Sequence, residues 1–408
     1  MSPTLAELGA ATALGWATLV ATVSAEAMRR AWVRARRARA ARATALREDA
    51  PRGPAPEVLV VRPCAGDEPS LFENLRSLAR AGRSFPLRCR LAVADASDPA
   101  WPVACRAAEA LAAEGIDAAA VLTRARGPNR KVSQIHEVLR GEAGRFDVVL
   151  IADSDVDLGE TSLDLLIEPL TGPHPHAAAW APPVEHGLAE APGDRASAAL
   201  LGASLHAFPL LAGLDRRGLV GKLFAVRKNA LDRIGGFGGL RDHLGEDMEL
   251  GRRLTGRRLT LTAAPIIARS MASGRSMEQA LSRFARWLMV IRAQRPALLP
   301  SYPLLFFATP LILALSLLTA PAAPLPALAG ALLALASRAA VALFASRAAG
   351  RPLGLGAALR ASLAGDWLLA RAFARALGSR HVEWRGSSLV LGPGGLLREG
   401  EISRRAAP

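Results

Sequence analysis

The residues Phe146-Asp-Val-Val-Leu-Ile-Ala-Asp-Ser-Asp155 contain a clear structural signal. Their first seven residues form a short apolar, β-branched run, which predicts a strand over residues 146–152. Two carboxylates, Asp153 and Asp155, follow directly at the carboxyl end of this strand. Ligands of parallel α/β sheets collect at that edge. These ten residues therefore predict a sheet strand that leads into a functional site.

The segments around this strand alternate between strand and helix patterns. Leu71, Leu75 and Leu78, for example, recur with the spacing of one helix face. This alternation predicts right-handed βαβ units and an α/β domain with a mostly parallel sheet. The other predicted strands are 57–62, 88–94, 118–122 and 219–226, and the predicted helices are 69–81, 101–114, 131–139, 228–234 and 276–293, with a further helix opening at 244–250.

Apolar segments flank this domain on both sides. Residues 8–23 predict an N-terminal transmembrane helix, with an amphipathic surface helix as the alternative, and eight arginines follow between Arg29 and Arg47. Arginines next to a span mark its cytoplasmic side. A cleaved signal peptide carries its positive charge before the apolar run and not after it, so no cleaved signal peptide is expected. Residues 303–319 and 325–345 predict a transmembrane hairpin. Within it Arg338 should face a polar cavity, a partner or the interface, because a cation at bilayer depth costs about 3 kcal/mol. Residues 353–377 predict an interfacial helix.

The net charge of +15 is compatible in principle with nucleic acid. The basic residues lie beside apolar segments, however, and one Tyr with 11 Phe gives little for base stacking. We therefore expect anionic membrane lipids and no nucleic acid as partners. A non-catalytic basic membrane-surface or nucleic-acid-binding protein is the alternative of another class, but it leaves the ordered acidic residues unexplained.

Several polar motifs could carry chemistry, and each alone has a structural explanation. Asp153 and Asp155 could hold Mg²⁺ or Mn²⁺ with open positions for diphosphate oxygens, although Asp turns are common. Glu246-Asp247 could equally begin a helix. The remaining candidates are Asp95 and Asp98 after the second strand, the loop Gly127-Pro-Asn129-Arg-Lys131, and Arg283-Phe-Ala-Arg286-Trp287 on a predicted interfacial helix.

In this order the motifs resemble the ceramide-glucosyltransferase-like branch of family-2 glycosyltransferases, which has a GT-A fold. Hopanoid-associated glycosyltransferases are a close second resemblance. Further matching segments are Arg62-Pro-Cys-Ala-Gly66, Val93-Ala-Asp-Ala-Ser-Asp-Pro99, Gly221-Lys-Leu-Phe-Ala-Val-Arg-Lys228 and Val382-Glu-Trp-Arg-Gly386.

The resemblance implies a role for each motif. Asp95, or Asp98 in its place, together with Asn129, Lys131 and Asp153 would bind the nucleotide, and Asp153 with Asp155 would hold the metal. Asp247 would be the general base. Arg283, Arg286 and Trp287 would contact the diphosphate and shape the acceptor site.

The expected activity is inverting transfer of a sugar, glucose first, from a UDP-sugar to a lipid hydroxyl. Ceramide is the first acceptor, and a hopanoid or other bacterial lipid is the alternative. The expected location is the bacterial inner membrane, multi-pass, with a cytosolic catalytic domain. The predicted boundaries are 1–28 (anchor), 29–56 (basic linker), 57–275 (GT-A domain), 276–298 (interfacial helix), 299–346 (hairpin) and 347–408 (basic interfacial helix and tail).

Overall fold

A computed structural model describes residues 4–45, 55–125, 127–142, 146–215, 218–384 and 387–399. Within these ranges the chain forms two compact units, and neither is continuous in sequence. The α/β unit comprises residues 35–188, 215–273 and 380–408, and the helical unit comprises residues 1–34, 189–214 and 274–379, each as far as it is described.

The secondary structure follows the alternation expected from the sequence, with additional short elements. The helices are α1 (Leu5–Ala45), α2 (Leu71–Arg76), α3 (Ala100–Ala113), α4 (Arg130–Gly141), α5 (Asp164–Thr171), α6 (Pro192–Gly202), α7 (Phe208–Leu214), α8 (Lys228–Asp232), α9 (Glu246–Gly256), α10 (Met277–Gln294), α11 (Ala308–Thr319), α12 (Pro324–Ala348) and α13 (Leu355–Gly378). The strands are β1 (Val58–Cys64), β2 (Leu87–Val93), β3 (Asp117–Leu122), β4 (Val148–Ala152), β5 (Val156–Asp157), β6 (Ala178–Trp180), β7 (Pro183–Glu185), β8 (Leu223–Arg227), β9 (Leu261–Ala263), β10 (Ala268–Ser270), β11 (His381–Trp384), β12 (Ser387–Leu391) and β13 (Leu397–Glu399).

The main sheet of the α/β unit has seven strands in the order β3-β2-β1-β4-β8-β6-β9. Strands β3, β2, β1 and β4 are parallel, β8 is antiparallel to β4 and β6, and β6 is parallel to β9. Every residue of β1 and β4 is buried, as in strands with both faces covered. The predicted α/β class with a mostly parallel sheet is confirmed.

Two smaller sheets complete the α/β unit. One has the order β5-β10-β7, and the other has the antiparallel order β11-β12-β13 near the C-terminus. The C-terminal sheet is bonded to the segment before α9, since the Leu244 amide donates to the Gly395 carbonyl (3.0 Å) and the Leu397 amide donates to the Asp242 carbonyl (2.7 Å). The segment that leads into Glu246 is therefore held by β13.

Among the residues that the structure describes, two helices, over Leu5–Arg37 and Pro324–Ala348, are long and apolar enough to span a membrane. A third span would combine Pro296–Phe306 with Ala308–Thr319, which are bent by 55° relative to each other. The transmembrane hairpin stays a prediction. Because α11 alone is about 18 Å long and a bilayer core is about 30 Å thick, its first leg would need both parts of the bent pair. The indole N–H of Trp16 donates to the Leu304 carbonyl beside the bend (2.7 Å).

Small side chains allow the helices of the helical unit to approach closely. A Cβ atom on Gly330 of α12 would lie 3.1 Å from the Leu14 backbone nitrogen of α1. Ala13 and Ala17 of α1 are fully buried in the same cluster as Ile312. Close packing over small residues is the usual interaction between helices in a membrane.

Arg338 has a polar partner, which is one of the three environments expected for it from the sequence. Its guanidinium donates to Asp366 Oδ1 of α13 (2.8 Å) and to the Ala203 carbonyl (2.6 Å). Both side chains of the Arg338–Asp366 pair are buried. The pair therefore joins α12 to α13 inside the helical unit.

The six domain boundaries expected from the sequence stay a prediction. The two compact units of the structure divide the chain differently. Residues 189–214 cluster with the helical unit, and residues from 380 onward cluster with the α/β unit. The predicted linker overlaps α1, which continues to Ala45, and residues 46–54 lie outside the described ranges. Arg385, Gly386 and residues 400–408 also lie outside them.

Candidate functional site

The carboxyl ends of parallel strands bring the first acidic residues to one edge of the sheet. β2 ends at Val93 and β4 ends at Ala152, so Asp95 and Asp153 follow on the same edge. The two strands are separated only by β1, and their spacing is therefore about 10 Å. This is the edge at which the sequence predicts a ligand.

Asp95 and Asp98 occupy different environments. Asp95 is exposed, and the Ser97 amide and hydroxyl donate to its Oδ1, which lowers the pKa of its carboxyl. Asp98 Oδ1 instead accepts from the amides of Gly66 (2.7 Å) and Ala100 (2.9 Å). Asp98 thus joins the loop after β1 to the start of α3, whereas Asp95 faces solvent.

Asp153 and Asp155 converge on one ammonium group. Lys222 Nζ lies 2.5 Å from Asp155 Oδ2 and 3.4 Å from Asp153 Oδ2. The Ser270 hydroxyl donates to Asp155 Oδ2 (2.8 Å). On its other side Asp153 Oδ1 pairs with Lys131 Nζ (2.7 Å). Both aspartates are therefore already paired with cations supplied by the chain.

A buried arginine fixes the turn that carries these aspartates. The Arg62 side chain is fully buried and donates to the carbonyls of Asp153 (2.9 Å) and Val156 (2.6 Å). It also donates to the Asn74 carbonyl at the end of α2 (2.6 Å). Because these carbonyls point inward to Arg62, the carboxylates of the turn are left at the sheet edge.

Lys131 connects the two acidic pairs of the α/β unit. Besides Asp153, its ammonium contacts Glu246 Oε1 (3.3 Å) and donates to the Gly221 carbonyl (2.9 Å). Burial alone would lower the pKa of Lys131, but Asp153 and Glu246 outweigh this effect and raise it. Lys131 is therefore a permanent cation between Asp153 and the start of α9.

Asn129 links the start of α4 to the segment before α9. Its Oδ1 caps α4 by accepting from the Val132 amide (3.1 Å), and its Nδ2 donates to the His243 carbonyl (2.8 Å) and to Glu246 Oε2 (3.2 Å). The side chain is fully buried. In this arrangement Asn129 positions the segment before α9, while its predicted contact with a nucleotide stays a prediction.

Asp247 is oriented by backbone amides. The Gly221 amide donates to its Oδ2 (2.8 Å) and the Met248 amide donates to its Oδ1 (2.7 Å). A Cβ atom on Gly221 would lie 3.2 Å from Asp247 Cβ, so the close approach depends on glycine. Burial and the neighbouring Glu246 raise the pKa of Asp247 to about 6, although Lys131 opposes this. A carboxylate with this pKa is suited to accept a proton near neutral pH.

Arg283, Arg286 and Trp287 lie on α10 in the helical unit. The Arg283 guanidinium stacks on the Trp287 ring, 4.7 Å from its centroid, and donates to Ser197 Oγ of α6 (3.2 Å). Trp287 also packs edge-to-face against Phe284 (5.2 Å between centroids). The stacking confirms that Arg283 and Trp287 lie one helical turn apart on neighbouring positions, as their spacing predicts.

Sequence reasoning did not assign Lys222 and Ser270 to the site. Lys222 was visible within the segment Gly221–Lys228, but lysine before a strand has many uses. Ser270 ends β10, a three-residue strand that the sequence analysis did not predict. Within the described parts of the chain no three His, Cys, Asp or Glu side chains form a cluster able to hold a metal ion. The metal site at Asp153 and Asp155 stays a prediction.

The chain is similar at low identity to solved structures of two glycosyltransferases. A mannosyltransferase from Pyrobaculum calidifontis in complex with GDP-Man and Mn²⁺ is 19% identical, with a TM-score of 0.45 over 90% of this chain and 99% of that chain. Glucosyl-3-phosphoglycerate synthase from Mycobacterium tuberculosis, in complex with Mn²⁺, UDP and glucosyl-3-phosphoglycerate, is 16% identical, with a TM-score of 0.34 over 57% of this chain and 79% of that chain. No curated protein sequence matches the chain.

The family assignment rests on the sequence itself. The profile of glycosyl transferase family 21 matches residues 16–397, which is nearly the whole chain. This match confirms the resemblance to ceramide glucosyltransferases. The observed sheet confirms the α/β class with a mostly parallel sheet that the resemblance implies. The chain belongs to glycosyl transferase family 21, the ceramide glucosyltransferase family.

Proposed function

We propose that this protein is a metal-dependent inverting glycosyltransferase that moves glucose from UDP-glucose to the hydroxyl group of a membrane lipid of the ceramide type. Family membership and the two apolar helices support a membrane-associated nucleotide-sugar glycosyltransferase. The observation that carries the reaction is the environment of Asp247, whose pKa is raised. Its neighbour Glu246 contacts Lys131, which also pairs with Asp153.

The donor set of the site fits a divalent cation. Asp153 and Asp155 both reach a single cation, the Lys222 ammonium, so their carboxylates already converge on one point. Oxygen ligands with open positions suit Mg²⁺ or Mn²⁺, the ions that the family resemblance implies. When bound, such an ion would supply charge neutralisation for the leaving nucleoside diphosphate.

Asp247 would remove the proton from the lipid hydroxyl. A hydroxyl is a weak nucleophile at neutral pH, and a positioned carboxylate must accept its proton as it attacks the anomeric carbon. The two amide donors fix the carboxylate, and Lys131 keeps the adjoining acids paired. One base without a carboxylate nucleophile favours a single displacement, which would convert an α-linked donor into a β-glycoside.

The remaining site residues would hold the donor. The exposed Asp95 is better placed for a nucleotide than Asp98, whose Oδ1 already accepts two amides. Arg283, Arg286 and Trp287 would contact the diphosphate and shape the acceptor site, as the family resemblance implies. Fixed cations of this kind stabilise charge that develops on a leaving group.

The topology that fits this reaction places the α/β unit in the cytosol of a bacterium, with the helical unit in the inner membrane. The basic second half of α1 supports this orientation, because arginines next to a span stay on the cytoplasmic side. Its side chains would also contact anionic lipid headgroups. Spans over α1, the bent pair and α12 would make the protein multi-pass.

Substitution of the base separates binding from chemistry. Asp247→Asn should retain Mn²⁺-dependent binding of UDP-glucose, measured by calorimetry on the detergent-solubilised protein, and should abolish transfer of radiolabelled glucose to lipid. Asp242→Asn, an exposed carboxylate in the preceding segment, is the matched control. Turnover retained by Asp247→Asn would exclude Asp247 as the base.

The lipid acceptor can be identified by comparing lipid extracts of cells. Lipid extracts of a producing strain and of a deletion strain should differ by one glycolipid, which we expect to be a glucosylceramide. Loss of a glycosylated hopanoid instead would replace ceramide with a polycyclic lipid and leave the mechanism unchanged. Failure of transfer with every UDP-sugar, combined with salt-sensitive DNA binding, would refute the enzyme assignment.

A further inference from the structure

The position of Lys222 is set by the sheet and not by chance contact of a flexible side chain. Lys222 directly precedes β8, which pairs antiparallel with β4 in the register Ala152↔Leu223. The Asp153 amide donates to the Lys222 carbonyl (2.9 Å), so the two residues extend this ladder face to face. The side chain, only 21% exposed, therefore has a fixed starting point beside the carboxylates.

The Lys222 ammonium uses the same oxygens that a divalent cation needs. It lies 2.6 Å and 2.5 Å from the two oxygens of Asp155, and 3.4 Å from Asp153 Oδ2. A Mg²⁺ ion binds carboxylate oxygens at about 2.1 Å and would have to stand in the same place. The ammonium and the metal ion therefore exclude each other.

Lys131 and Lys222 differ in the partners that each ammonium would retain if a metal ion bound the aspartates. Lys131 also contacts Glu246 and the Gly221 carbonyl, so it retains partners when Asp153 turns to a metal ion. The contacts of Lys222 described above are with the aspartates themselves. A displaced Lys222 therefore needs a new anion, and the diphosphate of the donor is the anion that arrives with the metal.

We propose that Lys222 is a built-in counter-cation of the Asp153–Asp155 pair, which makes metal binding depend on the presence of the nucleotide diphosphate. Without nucleotide, a metal ion must displace Lys222 and leave its ammonium unpaired. With nucleotide, the diphosphate accepts the displaced ammonium, and metal and nucleotide each tighten the binding of the other by the same factor. This inference rests on the proposed function in placing the metal at Asp153 and Asp155.

The test measures binding of Mn²⁺ and not turnover. Free Mn²⁺ is determined by electron paramagnetic resonance on the full-length protein in detergent, with and without UDP. Lys222→Gln should bind Mn²⁺ alone more tightly than the parent by about tenfold or more, since one neighbouring cation changes the proton affinity of a carboxylate by roughly tenfold to thousandfold. The additional tightening caused by UDP should shrink by a similar factor.

Three further variants test whether the positive charge of Lys222 itself controls Mn²⁺ affinity. Lys228→Gln removes a lysine of the same segment that pairs with Asp232 on α8, and it should leave Mn²⁺ affinity unchanged. Lys222→Met repeats the measurement with an uncharged chain of similar length. Ser270→Ala removes a hydroxyl partner of Asp155 without removing a cation, and it should not tighten binding.

The outcomes distinguish this inference from the proposed function. Mn²⁺ affinity of Lys222→Gln and Lys222→Met equal to or below that of the parent would overturn the inference, provided that Asp155→Asn still weakens binding. If neither Asp153→Asn nor Asp155→Asn weakens Mn²⁺ binding, the metal site of the proposed function itself fails, and the inference fails with it.

Discussion

The acid limb of the pH–rate profile reports directly on the environment of Asp247. Burial and Glu246 raise the pKa of Asp247 to about 6, and Lys131 opposes them. A general base acts only when ionised, so kcat/KM should be half-maximal near that pH and fall about tenfold for each unit below it. An aspartate with an ordinary pKa of about 3.9 would keep the profile flat to about pH 5.

Two substitutions should move this limb in opposite directions. Glu246→Gln removes a negative charge that raises the pKa of Asp247, so its acid limb should shift to lower pH. Lys131→Gln removes a positive charge that lowers the same pKa, so its limb should shift to higher pH. Each shift should be about one unit or more, because one charge at contact distance is worth about 1 to 4 kcal/mol and one pKa unit is worth about 1.4 kcal/mol.

The assay is transfer of radiolabelled glucose from UDP-glucose to lipid between about pH 4 and about pH 8. It is run at two saturating Mn²⁺ concentrations, so that a limb caused by loss of metal moves with concentration and one caused by Asp247 does not. Asp242→Asn should reproduce the parent profile. Shifts of both variants in the same direction, or a parent profile that stays flat to about pH 5, would refute the assignment of the base.

Other substitutions test the contacts that position Asp247 and the ion pair inside the helical unit. Gly221→Ala should lower kcat by about tenfold to hundredfold at unchanged thermal stability, because the new Cβ displaces Asp247, and transfer kinetics with a melting curve check this. Leu397 is a buried residue of β13, and its amide donates to the Asp242 carbonyl in the segment before α9. Leu397→Ala should lower kcat more than it raises KM, whereas Leu396→Ala, at a residue that is 38% exposed, should leave kcat unchanged. Arg338→Leu should cost about 3–5 kcal/mol by leaving Asp366 buried without its cation, and combining it with Asp366→Leu should restore much of the melting temperature.

The elements with a regular pattern could be predicted from the sequence. The buried runs at β1, β2 and β4 differ from their predicted ranges by a few residues, since their alternation with amphipathic helices reflects the packing itself. Strands of two or three residues, such as β5 and β10, escaped prediction because a period cannot be read from so few positions. They exist because of neighbours distant in sequence, as Arg269 of β10 pairs with Asp157 of β5.

The acids of the candidate site and Lys131 were candidates from the sequence, whereas Lys222 was not assigned to the site. Asp153 and Asp247 stand at a strand end and at a helix start, places that sequence patterns mark. Lys222 faces Asp153 only because β8 is antiparallel to β4, and strand order cannot be read from either segment alone. From the sequence, Arg338 could face a polar cavity, a partner or the interface. The structure supplies a partner, Asp366, because α12 packs on α13.

The balance of charges at the sheet edge gives a reason for coupling metal and donor. Four carboxylates share two ammonium groups there, namely Asp153, Asp155, Glu246 and Asp247 with Lys131 and Lys222. A diphosphate approaching this cluster alone would meet an excess of negative charge, and a divalent cation approaching alone would have to displace an ammonium group. When both arrive together, the excess charge is neutralised and the displaced ammonium gains a partner. Because Lys131 would keep its contact with Glu246 in this exchange, it would continue to lower the pKa of Asp247, which burial and Glu246 raise.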